Sequence, residues 1–253
     1  MLKARVMPCL LLKGRSLVKT VKFKDPAYIG DPINAVRIYN EKEVDELIFL
    51  DITATTAGKE PPYQVLHEIA SECFMPVAYG GGIRKLEQIR DILNLGVEKV
   101  IINSYAFENP DFISQAAERF GSQAIVVSID VRKRLFGKYE VYTHGGRKAT
   151  GLDPVAWAQK MEAMGAGEIM LTAIDRDGTQ EGYDIDLIKK VSTAINIPLI
   201  ACGGAGKVED FGLAVKEGGA SACAAGSMVV YYGRNRAVLI NFPTRQELDA
   251  VLS

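Results

Sequence analysis

Eight short apolar runs alternate with amphipathic stretches along the whole chain, and this alternation restricts the fold more than any other feature. The runs are 5–11, 46–51, 75–79, 98–103, 124–130, 168–173, 197–202 and 220–225. Their lengths suit strands, and their near-continuous hydrophobicity suits strands covered on both faces, as in parallel sheets. Between them, 31–42, 63–73, 85–95, 110–120, 154–164, 184–195 and 208–216 carry apolar residues at helical spacing. Asp-Pro at 31–32 and 153–154, and Asn-Pro at 109–110, each offer a cap followed by proline at the first helical position. Gly96, Gly165 and Gly218 follow helical stretches as C-caps. Eight strand–helix units in 253 residues predict an α/β chain folded as a (β/α)8 barrel, for which about 250 residues is typical.

The two halves also echo each other. Gly203-Gly204-Ala205 stands 123 positions after Gly80-Gly81-Gly82, and Glu168 stands 122 after Glu46, each within matching strand patterns. These offsets predict two fused half-barrels, about 1–121 and 122–253, within one domain because no Pro/Gly/Ser-rich linker separates them. The same comparison places Leu11 opposite Asp130, at an offset of 119. Two equivalent strand ends would face each other across the barrel mouth, and only one carries an acid.

The 30 basic and 31 acidic residues leave a net charge of −1, so no nucleic-acid footprint is visible. The apolar run Val6–Leu12 follows Lys3 and Arg5 but is interrupted by Pro8 and is too short to span a bilayer. It reads as a first strand, and the protein as cytoplasmic. Cys9, Cys73, Cys202 and Cys223 form no Cys-x-x-Cys pair and read as small buried hydrophobes in a reducing compartment. His67 and His144 have no acidic or cysteine neighbours at ligand spacing, so neither a metal nor a cofactor is expected.

Glycine-rich turns follow the third and seventh strands. Glycine lets backbone amides approach an anion closely. Gly203, Gly204, Gly226 and Ser227 lie after strands seven and eight, where barrels often hold phosphate, and Gly81, Gly82, Asn103 and Ser104 are their counterparts. Either pair alone could be a tight turn; the symmetric pairing favours a substrate phosphorylated at both ends. Neither turn completes a dinucleotide fingerprint. Thr172, Asp177 and Gly178 belong to a charged segment after strand six that suits a mobile loop over a polar substrate. Asp51 ends strand two, where an acid is costly unless paired or working. At the opposite end, Arg5, Glu46, Lys99 and Glu168 begin their strands and could form a ring from alternate strands across the barrel floor. A structural salt-bridge layer and a gate are both open readings of it.

Phe-Leu-Asp-Ile-Thr-Ala (49–54), Tyr-Gly-Gly-Gly-Ile-Arg (79–84), Glu-Arg-Phe-Gly-Ser-Gln (118–123), Val-Tyr-Thr-His-Gly-Gly-Arg (141–147), Leu-Thr-Ala-Ile-Asp-Arg-Asp-Gly-Thr (171–179) and Ala-Cys-Gly-Gly-Ala-Gly (201–206) together resemble the cyclase subunit of imidazole glycerol phosphate synthase, over roughly 1–240. The resemblance implies a bisphosphorylated substrate and a glutaminase docked on the floor, whose ammonia passes up the barrel. It makes Arg5, Glu46, Lys99 and Glu168 the gate, puts catalytic acids at positions 11 and 130, and makes Lys19 a substrate contact. Lys19 and Asp51 would help Asp130. Position 11 departs: the family reads Cys-Leu-Asp-Val-Lys where this chain reads Cys9-Leu10-Leu11-Leu12-Lys13. That departure resembles a paralogous branch linked to lipopolysaccharide sugar modification. There, barrel and glutaminase would supply ammonia to an ATP-dependent amidotransferase that turns an acetamido group into an acetamidino group.

Overall fold

The computed structural model describes residues 4–233 and 235–253. Eight parallel strands close on themselves: β1 (Arg5–Lys13), β2 (Leu47–Asp51), β3 (Val77–Gly80), β4 (Lys99–Ile102), β5 (Ile125–Lys133), β6 (Glu168–Ala173), β7 (Leu199–Cys202) and β8 (Ala222–Ala225). Closure comes from two pairings. β5 and β6 are in register from Val126↔Glu168 to Val131↔Ala173, and β1 and β8 from Arg5↔Ala222 to Pro8↔Ala225. The result is the (β/α)8 barrel expected from the alternation.

Side-chain alternation divides the core in two. Met7, Cys9, Ile48, Ala78, Ile101, Val126, Met170, Ile200, Cys202, Ala222 and Ala224 fill the barrel interior. The intervening residues, such as Val6, Leu10, Phe49, Tyr79 and Val127, pack outward on the helices. Both faces are apolar because both are covered, which is why the strands read as unbroken hydrophobic runs.

Helices occur at all seven expected stretches. Asp31 and Asp153 cap them as anticipated, each side chain accepting from two backbone amides ahead of a proline at the first helical position. Asn109 does not: its helix begins at Asp111 and lacks a side-chain cap, and only the Asn109 carbonyl engages, accepting from the Phe112 amide. Gly96 and Gly165 adopt φ of 97° and 95°, whereas Gly219, not Gly218, takes the left-handed position before β8.

Three hairpins were not read from the pattern. One (Ser16–Val21 with Lys24–Gly30) extends β1, and another (Tyr139–Thr143 with Lys148–Ala149) extends β5. Both rise at the mouth, one from β1 and one from β5. A third, small hairpin (Tyr231–Tyr232 with Ala237–Val238) precedes the last helix, Arg245–Leu252. Among the described residues, no helix is long and apolar enough to cross a membrane.

Candidate active site

One cavity of about 320 Å³ opens at the C-terminal ends of the strands. Lys19, Asp51, Gly81, Gly82, Asn103, Ser104, Asp130, Thr172, Asp177, Gly178, Gly203, Gly204, Gly226 and Ser227 all line it, together with Leu11. Residues scattered over more than 200 positions thus converge on one wall-to-wall site.

Of the cavity's carboxyls, Asp130 is the one pushed toward neutrality. The alternation of β5 turns Val126 and Asp130 inward, and Asp130 is only 8% exposed. Burial pushes its carboxyl from 3.8 up to about 7; the Asp177 charge adds to this, while bonds from Asn103 and Ser128 oppose it. Asn103 Nδ2 donates to Oδ2 at 3.0 Å. A carboxyl titrating near neutrality can both give and take a proton. Leu11, inward-facing on β1 and 8% exposed, lines the same cavity with no polar atom to offer.

Lys19 is buried and paired. Its Nζ pairs with Asp177 Oδ1 at 3.2 Å in a buried setting, and Thr20 Oγ1 donates to the other carboxylate oxygen. Burial works against the charge on Lys19, yet pairing with Asp177 outweighs it and leaves the ammonium favoured. The ammonium lies beside Gly226, where an added Cβ would come within 2.8 Å of Nζ. A side chain at 226 would displace the lysine end from that place.

The Thr172–Thr179 segment is not a solvated loop. Asp177 is 7% exposed, its carbonyl accepts from the Lys22 amide at 2.8 Å, and Gly178 packs so tightly on Thr20 that a Cβ would overlap its carbonyl. The segment is locked to the hairpin after β1, and Asp177 spends its charge on Lys19. Asp51 is also occupied: Oδ1 accepts from the Thr53 amide and hydroxyl, each at 2.8 Å, and from the Ala54 amide at 3.0 Å. It shapes the turn that faces Gly81, whose missing Cβ leaves room for it.

Pattern reading missed other polar cavity residues, among them Thr55, Arg84 and Arg147. Arg84 and Arg147 each follow a glycine-rich turn, and that position was the available signal. Cys9, Cys202 and Cys223 are buried, and Cys73 is half-buried. The Cys9 thiol is pushed up by its hydrogen bond with Cys202 and by burial, so it stays protonated. Among the described residues, no three metal-ligating side chains cluster.

At the barrel floor the four charged residues close a ring. Arg5 donates to Glu46 and to Glu168, each at 2.7 Å, and Lys99 pairs with Glu46 at 3.0 Å and with Glu168 at 3.3 Å. Glu46, Lys99 and Glu168 come from alternate strands as anticipated, but Arg5 does not. It reaches across from β1, where its β8 neighbour is the small Ala222.

The family model for "Histidine biosynthesis protein" matches residues 5–235, nearly the whole barrel. The chain belongs to the histidine biosynthesis protein family. Within that family it is 51% identical over 249 residues to "Putative imidazole glycerol phosphate synthase subunit hisF2" of Pseudomonas aeruginosa, covering 98% of this chain and 99% of the relative. It is 50% identical over 253 residues to "Putative imidazole glycerol phosphate synthase subunit hisF3" of Vibrio vulnificus, covering 100% and 97%. "Imidazole glycerol phosphate synthase subunit HisF" of Alkaliphilus metalliredigens is 46% identical over 231 residues, covering 91% and 92%.

Proposed function

We propose that this chain is the synthase subunit of a cytoplasmic glutamine amidotransferase complex, taking ammonia from a glutaminase bound at the barrel floor. The observation that carries the reading is a contrast between the two ends. The floor keeps a closed four-residue ion ring, while the mouth sets Leu11 where a second acid would face Asp130. Losing one positioned acid or base typically costs about 10²–10⁴ in rate.

The interior between these ends suits a conduit for a neutral molecule. Above the ring lie Met7, Ile48, Ile101, Val126, Met170 and Ile200. Ammonium would lose its hydration there without a partner, whereas uncharged ammonia loses little. The ring bonds at Lys99 are longer than those at Arg5, which makes Lys99 the corner that opens most readily.

Two anion sites at the mouth, Gly82–Ser104 and Gly204–Ser227, are read as the products of two half-barrels, 1–121 and 122–253, and would hold a small molecule phosphorylated at both ends. The acceptor in this reading is an ATP-dependent amidotransferase converting an acetamido sugar to an acetamidino sugar for surface polysaccharide.

A second reading, cyclisation of the bisphosphorylated histidine precursor, is favoured by Asp130 titrating near 7 in an otherwise complete cavity. Ammonia-dependent turnover of that precursor decides between them. The first reading expects a rate at least a hundredfold below that of an aspartate-bearing cyclase, with Leu11→Asp raising it. Full turnover by the unaltered chain overturns it.

A further inference from the structure

The connection from β8 to the last helix carries an added piece. After the short helix Ser227–Val230, the hairpin Tyr231–Tyr232/Ala237–Val238 folds back, tied by Leu239 N–H to the Val230 carbonyl and Asn241 N–H to the Val229 carbonyl, each at 3.0 Å. Arg236, in the turn just before the return strand, has φ 50°, a backbone that arginine rarely adopts. That conformation lays the guanidinium over the Tyr231 ring at 4.6 Å and aims it inward. Nη1 donates to the Gly178 carbonyl and Nη2 to Ser227 Oγ, both at 3.3 Å. Both acceptors belong to cavity-lining residues, and Ser227 is 4% exposed.

A hydroxyl that accepts from a guanidinium has its proton left to give. Among the described residues nothing accepts the Ser227 proton, so the cavity is its outlet. Ser104, its counterpart, is spent internally: it accepts from the His144 amide at 2.9 Å and donates to Asn103 Oδ1 at 3.3 Å. The cations differ as well. Lys19 beside Gly226 is balanced by Asp177, whereas no carboxylate pairs with Arg236 among the described residues.

We infer that Arg236 is a positioning residue for a phosphate group at Gly204–Gly226–Ser227, holding Ser227 as a donor into the cavity and placing an uncompensated positive charge behind it. The inference rests on the phosphate reading of that end of the cavity and adds a residue from the hairpin to it.

Hydrogen–deuterium exchange of the full chain, with inorganic phosphate titrated at constant ionic strength, tests it segment by segment. Phosphate should slow exchange at 226–238 and at 81–104. Arg236→Gln should raise the concentration needed at 226–238 about tenfold, as expected for one lost charge-assisted bond, and leave 81–104 unchanged. Arg236→Lys should recover part of the loss. Ser227→Ala should match Arg236→Gln, and the double variant should be little worse than either. If Arg236→Gln loosens the hairpin even without phosphate, the cycle decides: non-additive losses uphold the assignment, and additive ones overturn it. An unchanged titration in Arg236→Gln beside a weakened one in Ser227→Ala overturns the role of Arg236 alone. Failure of phosphate to protect 226–238 in the unaltered chain overturns the phosphate reading and this inference together.

Discussion

Asp130 is costly to the fold as well as useful to the site. Its carboxyl is held at about 7 against 3.8 when free, chiefly by burial, so between those values the folded state binds the proton and the unfolded state does not. Stability therefore falls as pH rises through that window, by up to about 4 kcal/mol for a displacement of this size. Asp130→Asn removes the liability. The difference in Tm between Asp130→Asn and the unaltered chain should be small near pH 4 and grow in favour of the variant up to pH 8. A difference independent of pH would show that the carboxyl is not buried as described. Lys19 presents the converse case. Lys19→Met leaves the buried Asp177 without its cation and should cost about 3–5 kcal/mol at pH 7, measurable by urea unfolding.

At the level of elements, the strand ends line the cavity and the hairpin after β1 holds part of its wall in place. The hairpin after β1 delivers Lys19 to Asp177 and Gly226, while its Lys22 amide and Thr20 pin the segment after β6. Covalent neighbours do not explain that arrangement, because Lys19 and Asp177 lie 158 positions apart. The floor ring is a second such element. Glu46 is 3% exposed and shares one oxygen, Oε2, between Arg5 and Lys99. In Lys99→Met one guanidinium must serve two carboxylates, and stability should fall by about 1–2 kcal/mol. The barrel should stay folded by circular dichroism.

For the whole molecule, the two ends of the barrel make separable demands. A conduit reading requires a glutaminase to dock at the floor and glutamine hydrolysis to rise on docking. Lys99→Met or Glu46→Gln should weaken that coupling, measured as ammonia delivered per glutamine hydrolysed, while Leu11→Asp at the mouth leaves docking unchanged. If no glutaminase binds at micromolar concentration, the ring is a salt-bridge layer and the conduit fails.

What the sequence determined by itself was the alternation, and with it the barrel. A strand covered on both faces must read as an apolar run, and an inward acid at its end, as at Asp130, stands out against that run. Repeated glycines marked both ends of the cavity because the chain packs closely there: a Cβ at Gly81 would meet the Asp51 backbone, and one at Gly226 the end of the Lys19 side chain. The tertiary structure decided how those residues are used. It showed that Asp177 is neutralised by Lys19, that Asp51 is occupied by its own turn, and that Arg236 reaches Ser227. The first hairpin was illegible because Lys24–Gly30 is mostly exposed and Lys19 and Thr20 interrupt the apolar residues of Ser16–Val21. Ion pairing and desolvation depend on which side chains meet across the barrel, and that distance is set by closure of the sheet rather than by spacing along the chain.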